Sequence, residues 1–246
     1  MSDSMALPNT AGPTEPQMST AETLSSIFFE PSRTFEALRA RPRFLVAGLI
    51  ILIVVCLTVA VLFMRVDMGQ FIRERIERSP NAAQQTEQQK EIGVKFGKII
   101  AAVGVPLSVP ITIAGGAALY LLGAMMMGGT LNYRKALSVW TYSSLPPAIL
   151  TTLIAILVLF LKAPDTVDPE HLAITNPGAL MGSDASPVLV AALTQFDILR
   201  FYGLFLAAVG LRKVGKLSSG SAWTIVIGLW VLAFLVRVGS AALFGR

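Results

Sequence analysis

Hydrophobic positions along this chain fall into blocks. Five predominantly apolar runs lie at about residues 44–64, 99–127, 145–161, 196–211 and 222–244, with polar stretches between them. A helix needs roughly 17–25 apolar residues to cross the hydrocarbon core of a bilayer. Within lipid the backbone must satisfy itself, which helices do. The pattern predicts an all-α fold: a polytopic integral membrane bundle of about five transmembrane helices.

The approach to the first run has its own pattern. Residues 1–21 are rich in Ser, Thr, Pro and Ala and lack an apolar stretch, so they read as a disordered tail before a membrane domain over 22–246. Ser19 and Glu22 stand at capping-box spacing, predicting a short helix with Leu24, Ile27 and Phe28 on one face. Pro31 suits the first turn of a second short helix carrying Phe35 and Leu38. Arg39, Arg41 and Arg43 then precede the first span. Both helices are too short to cross a bilayer. Their apolar faces suit either the headgroup boundary of an anionic leaflet or the underside of the bundle. Leu24, Ile27, Phe28, Phe35 and Leu38 are therefore candidates for membrane-surface or partner docking.

Between the first two spans, Met68, Phe71, Ile72 and Ile76, then Ile92, Phe96, Ile99 and Val103, recur at helical spacing on either side of a turn. A helical hairpin outside the membrane is expected. Pro106 and Pro110 predict a kink in the second span, and Ser108, Thr112 and Gly116 allow close helix contact. Residues 133–142 read as an interfacial helix, with Trp140 and Tyr142 in the aromatic belt and Pro146 and Pro147 opening the third span. Residues 162–186 form an acidic loop, and a basic turn separates the last two spans.

Composition narrows function mainly by exclusion. The chain is 54% hydrophobic and 14% charged, with a net charge of +5. Its basic residues mostly flank apolar runs, where they set orientation and meet lipid, so nucleic acid is not an expected partner. One cysteine (Cys56, within a span) and one histidine (His171, in a loop) leave no Cys–His zinc set, and no His-Glu-x-x-His motif occurs. Ser183 lies in a loop without a nucleophile elbow. No enzyme activity and no cofactor are expected. The candidate intramembrane polar site is Asp197, Arg200 and Arg237. Asp197 and Arg200, three apart on one helix face, suggest an ion pair at the membrane edge, with Asp197–Arg237 a second pairing. Arg237, in the last third of its span, also suits snorkelling to the interface.

Three stretches, "IFFEPSRTFEALRARPRFL", "NYRKALSVWTYSSLPPAIL" and "FDILRFYGLFLAAVGLRKVGKLSSGSAW", resemble the Yip family of Ypt/Rab-interacting membrane proteins in its short prokaryotic form. The likeness runs from about Ala21 to the C-terminus. It implies a cytosolic N-terminus, a five-helix domain and a non-enzymatic role. Eukaryotic relatives act in vesicle traffic with prenylated small GTPases. This chain lacks their Asp-Leu-Tyr-Gly-Pro stretch, so GTPase binding does not carry over.

The expected function is a non-catalytic protein organising partners or lipids in the cell (inner) membrane. The expected partners are membrane lipids, an unidentified membrane or cytosolic protein, and a second copy of the chain in a homo-oligomer. The rival is a small transporter or channel. Flanking charges are nearly balanced. The basic leading flank, the basic last turn and the acidic third loop place the N-terminus in the cytoplasm and the C-terminus outside.

Overall fold

A computed structural model describes residues 18–79, 81–169, 172–182 and 185–244. Most of the expected tail (1–17), His171 and Ser183 fall outside the described residues. Among the described residues the fold is helical, without strands. Its helices are α1 (Thr20–Ser26), α2 (Pro31–Ala40), α3 (Leu45–Arg65), α4 (Met68–Glu77), α5 (Glu87–Ile99), α6 (Val105–Met126), α7 (Tyr133–Leu161), α8 (Pro187–Leu193), α9 (Ile198–Gly215) and α10 (Ser219–Phe244).

Four continuous helices are long and apolar enough to span: α3, the combined α5–α6 rod over Glu87–Met126, α7 and α10. A fifth span forms if α8 and α9, bent by 46°, are one broken crossing. Large apolar side chains cover the outer surface, among them Leu45, Met64, Ile111, Phe160 and Leu235. Such a surface is untenable in water and ordinary in lipid.

Helix α7 is the axis of the bundle, packed by α3, α6 and α9. Its sequence predicts two pieces, an interfacial helix and then a span. Instead it runs unbroken through Pro146 and Pro147. The reason lies in its neighbour. Proline frees the carbonyl four residues back, and α9 closes over that side with Gly203. A Cβ at Gly203 would lie 3.2 Å from Pro147 Cγ and 3.5 Å from the Ser143 carbonyl oxygen. Trp140 fills the gap left by Gly116 on α6 and packs tilted against Tyr120, with ring centroids 4.8 Å apart. The second span, where the prolines predict a kink, runs on as one helix that carries a π turn. A π turn over Ile100–Gly104 stands directly before Pro106, where a regular turn would press the ring onto the Ala102 carbonyl. The α4–α5 hairpin forms as expected, with Ile72 against Gly97 and Ile76 against Gly93.

The N-terminal helices close one end of this bundle. Ser19 caps α1 through the predicted box with Glu22. Phe35 and Ile27 are fully buried, and Leu38 nearly so, in the cluster that holds α7 and α9. Phe35 seats over Gly210, beside Val139. Thr23 and Tyr142 hydroxyls meet at 3.1 Å, Tyr202 donates to the Phe28 carbonyl at 3.3 Å, and Lys213 pairs with Glu36. Burying an aromatic of this size contributes about 1.5–3 kcal/mol.

Gly210→Leu should unseat this cap. A Cβ there already sits 2.8 Å from Val139 and 2.9 Å from Phe35, and overpacking of this kind costs about 1–3 kcal/mol. The expected outcome is a lower melting temperature in detergent, with new trypsin cleavage at Arg33 and Arg39. Gly228→Leu, which faces open space on α10, should leave both unchanged.

Candidate functional site

The polar site expected around residue 197 lies in the break between α8 and α9. Asp197 is the N-cap of α9. Its Oδ1 accepts from the backbone N–H groups of Leu199 at 2.8 Å and Arg200 at 3.1 Å. Its Oδ2 accepts from Thr175 Oγ1 at 2.5 Å and Asn176 Nδ2 at 3.4 Å. Two donors on each oxygen fill the four lone-pair positions of a carboxylate. The Ile198 N–H donates to the Thr175 carbonyl at 3.2 Å, so the preceding loop is stitched to the helix start.

The expected ion pairs do not form. Arg200 donates instead to Oε1 of Gln195 at 2.6 Å. Gln195, nearly fully buried, passes the connection on: its carbonyl accepts from Trp230 Nε1 on α10 at 3.4 Å. Phe196, Phe201, Trp230 and Phe234 pack ring against ring around this point, with centroids 5.7–6.3 Å apart. Arg237 is exposed, near enough to Arg200 to act on it as a like charge. Among the described residues its guanidinium has no ion-pair or hydrogen-bond partner. The physical reason is geometric. The unpaired N–H groups of the α9 first turn lie closer to the Asp197 carboxylate than any guanidinium, and they hold it.

Asp197 and Arg200 share the start of α9, as their spacing implies, and Gln195, Thr175 and Asn176, which the sequence did not single out, are the groups that engage them. The signal available was Asn176-Pro177, a turn pair that fixes the loop facing the helix start.

The five docking candidates are placed differently from one another. Ile27, Phe35 and Leu38 face the bundle and are closed off, while Leu24 and Phe28 are half-buried against the same core. Docking on the bundle underside is what the structure has. Ile27, Phe35 and Leu38 are closed off from lipid and partner by this packing, while Leu24 and Phe28 keep part of their surface open. The aromatic that does point outward is Phe29, 87% exposed in the turn between α1 and α2.

At the opposite end a cleft of about 640 Å³ separates α4 from the loop after α7, lined by Asp67, Glu74, Arg75, Arg78, Asp165 and Asp168 among others. Asp67 caps α4 by accepting from Gly69 and Gln70 N–H groups at 2.8 and 3.1 Å. Those N–H groups hold its carboxyl below the usual carboxylate range. Among the described residues no three His, Cys, Asp or Glu side chains converge on a metal position.

A family model of the Yip1 domain matches residues 25–240. The chain belongs to the Yip1 domain family. The matched region of this Yip1 domain begins at the end of α1 and ends in the last turns of α10, so it includes α2. It is similar to the membrane protein YknW of Bacillus subtilis (strain 168), 26% identical over 217 residues and covering 85% of each chain. No solved structure matches it.

Two outcomes test these placements. Asp197→Asn keeps the acceptor at the cap but turns an NH2 toward the Thr175 and Asn176 donors, so it should melt below wild type and above Asp197→Ala in detergent. Asp197→Ala should lose about 0.5–2 kcal/mol, the usual worth of an N-cap; equal melting of the two would remove the capping role. The Asp67 cap has a pH sign. Its folded pKa is lowered, so its contribution is complete above the ordinary value of about 3.9 and is lost as pH falls through the lowered one. Amide exchange at Gly69 and Gln70, corrected for the intrinsic rate, should therefore accelerate below about pH 4.

Proposed function

We propose that this Yip1 domain is a non-catalytic scaffold that organises protein partners or lipids in the cell (inner) membrane, with its N-terminus in the cytoplasm and its C-terminus outside. The observation that supports this reading is where its polar groups are engaged. Thr58 meets Thr152 across α3 and α7 at 3.2 Å, and Arg65 donates to the Leu159 carbonyl at 3.1 Å. Asp197 and Arg200 hold the helix break. Each fastens one element to another, and none of these polar groups leads along a path through the bundle.

The outward groups on the proposed cytoplasmic face fit contact with a partner or with anionic lipid. They are Phe29 and Arg41, both exposed, with the half-buried Arg39 between them. Eukaryotic Yip relatives, which work in vesicle traffic, give the same kind of role. The partner is a membrane or cytosolic protein, with self-association as one form of the same scaffold. One observation favours the transport reading: α8 and α9 are bent by 46° at a break with a capped helix start, and a broken crossing of this kind is a layout transporters use to bind solutes. Against it stands the carboxylate, whose acceptor positions are filled from within the chain.

A reporter active only in the cytoplasm should work when fused after Lys216 and fail after Gly182; the reverse would overturn the orientation. Crosslinking in native membranes followed by mass spectrometry should yield discrete partners that weaken in Phe29→Ala at unchanged melting temperature. Solute flux in proteoliposomes, abolished by Arg237→Lys in a stably folded protein, would replace the scaffold with a transporter.

A further inference from the structure

A groove of about 550 Å³ opens on the flank of the bundle between α3, α6 and α7. Leu49 and Leu52 of α3, Ile113 of α6 and Leu137 of α7 wall it, and Phe44 and Tyr133 stand at the end where α3 and α7 begin. Gly48 makes it concave. A Cβ there would meet only Ile113 Cδ1 at 3.6 Å and Thr141 Cγ2 at 3.8 Å. The α3 wall, Phe44 to Leu52, rises about 12 Å, close to the hydrocarbon depth of one leaflet, half of about 30 Å.

Thr141 lines this groove and is fully buried. Its hydroxyl is, among the described residues, the buried side-chain polar atom with no hydrogen-bond partner. A hydroxyl without a partner in apolar surroundings is costly. One staggered χ1 step carries it to the place of the methyl that faces Gly48, the methyl moving to where the hydrogen was. An occupant that satisfies it must be mostly apolar and carry an oxygen acceptor. Beside the groove's polar end the chain is basic. Arg41 and Arg43 lead into Phe44, and Arg134 follows Tyr133. Arg41 and Arg134 are exposed and have no ion-pair partner among the described residues.

We propose that this groove binds one anionic phospholipid of the surrounding bilayer. An acyl chain lies along the α3 wall, a glycerol ester carbonyl accepts from Thr141, and the phosphate sits at Arg41 and Arg134. The proposal deepens the scaffold reading on its lipid side. Its failure leaves the protein crosslinks of the scaffold untouched, so the two readings fail separately.

The full chain is placed in nanodiscs of equal parts phosphatidylglycerol and phosphatidylcholine, re-extracted in mild detergent and weighed by native mass spectrometry. Wild type should retain one phosphatidylglycerol per chain. Gly48→Leu and Ala114→Phe fill the groove from opposite walls, and each should lower retention about tenfold or more at unchanged melting temperature. If one of them melts early, the other decides. Arg41→Gln with Arg134→Gln should keep a lipid but lose the preference for phosphatidylglycerol. Retention unchanged in the filling variants, or no headgroup preference in wild type, overturns the proposal. A dimer that disappears in Gly48→Leu also overturns it, by showing a second copy in the groove.

Discussion

The fold depends on the seating of Phe35 over Gly210. Two helices of seven and ten residues cannot hold themselves in water or cross a bilayer. They persist because one aromatic ring finds the gap that a missing Cβ leaves on α9, with Val139 of α7 as the third wall. Around this contact the polar groups align: Thr23 with Tyr142, Tyr202 with the Phe28 carbonyl, Glu36 with Lys213. The exposed clamp of Arg33 on Glu22 and Glu30 adds little by comparison, since solvent screens it. With the cap in place, α7 and α9 are held together at one end, and the basic residues that follow α2 are carried to the start of α3.

Much of this was legible in the sequence. Apolar length gave the spans, because a bilayer imposes one dimension on every crossing. The box of Ser19 and Glu22 marked the α1 start, and the periodic apolar positions on either side of residues 79–86 marked the hairpin. What was not legible depended on which neighbour a segment meets. Pro146 and Pro147 signal a break locally, yet α7 continues because Gly203 brings α9 against it. Ile27, Phe35 and Leu38 carry the pattern of a surface-seeking face, and periodicity alone cannot say whether lipid or protein covers it. Asp197 and Arg200 share a helix face, but the free N–H groups of a helix start compete for the carboxylate and win.

The same distribution connects structure to function. Polar side chains in this Yip1 domain fasten α3 to α7, α1 to α7 and α10 to the break between α8 and α9, and the outward-facing groups are apolar where lipid is expected and basic near the cap. The proposed scaffold role rests on this distribution, which leaves the two ends and the flanks of the bundle as the surfaces it would present. Arg237 remains apart from this scheme, exposed near Arg200 without a partner among the described residues.

The central claim, that α1 and α2 are a seated part of the bundle, is tested most directly by maleimide labelling in native membranes. In a Cys56→Ser background, Thr34→Cys replaces a fully buried residue of α2, and Phe29→Cys an exposed one of the turn before it. The account predicts fast labelling at position 29 and protection at position 34 that is lost only on denaturation. Equal labelling at the two positions in the folded protein would contradict it.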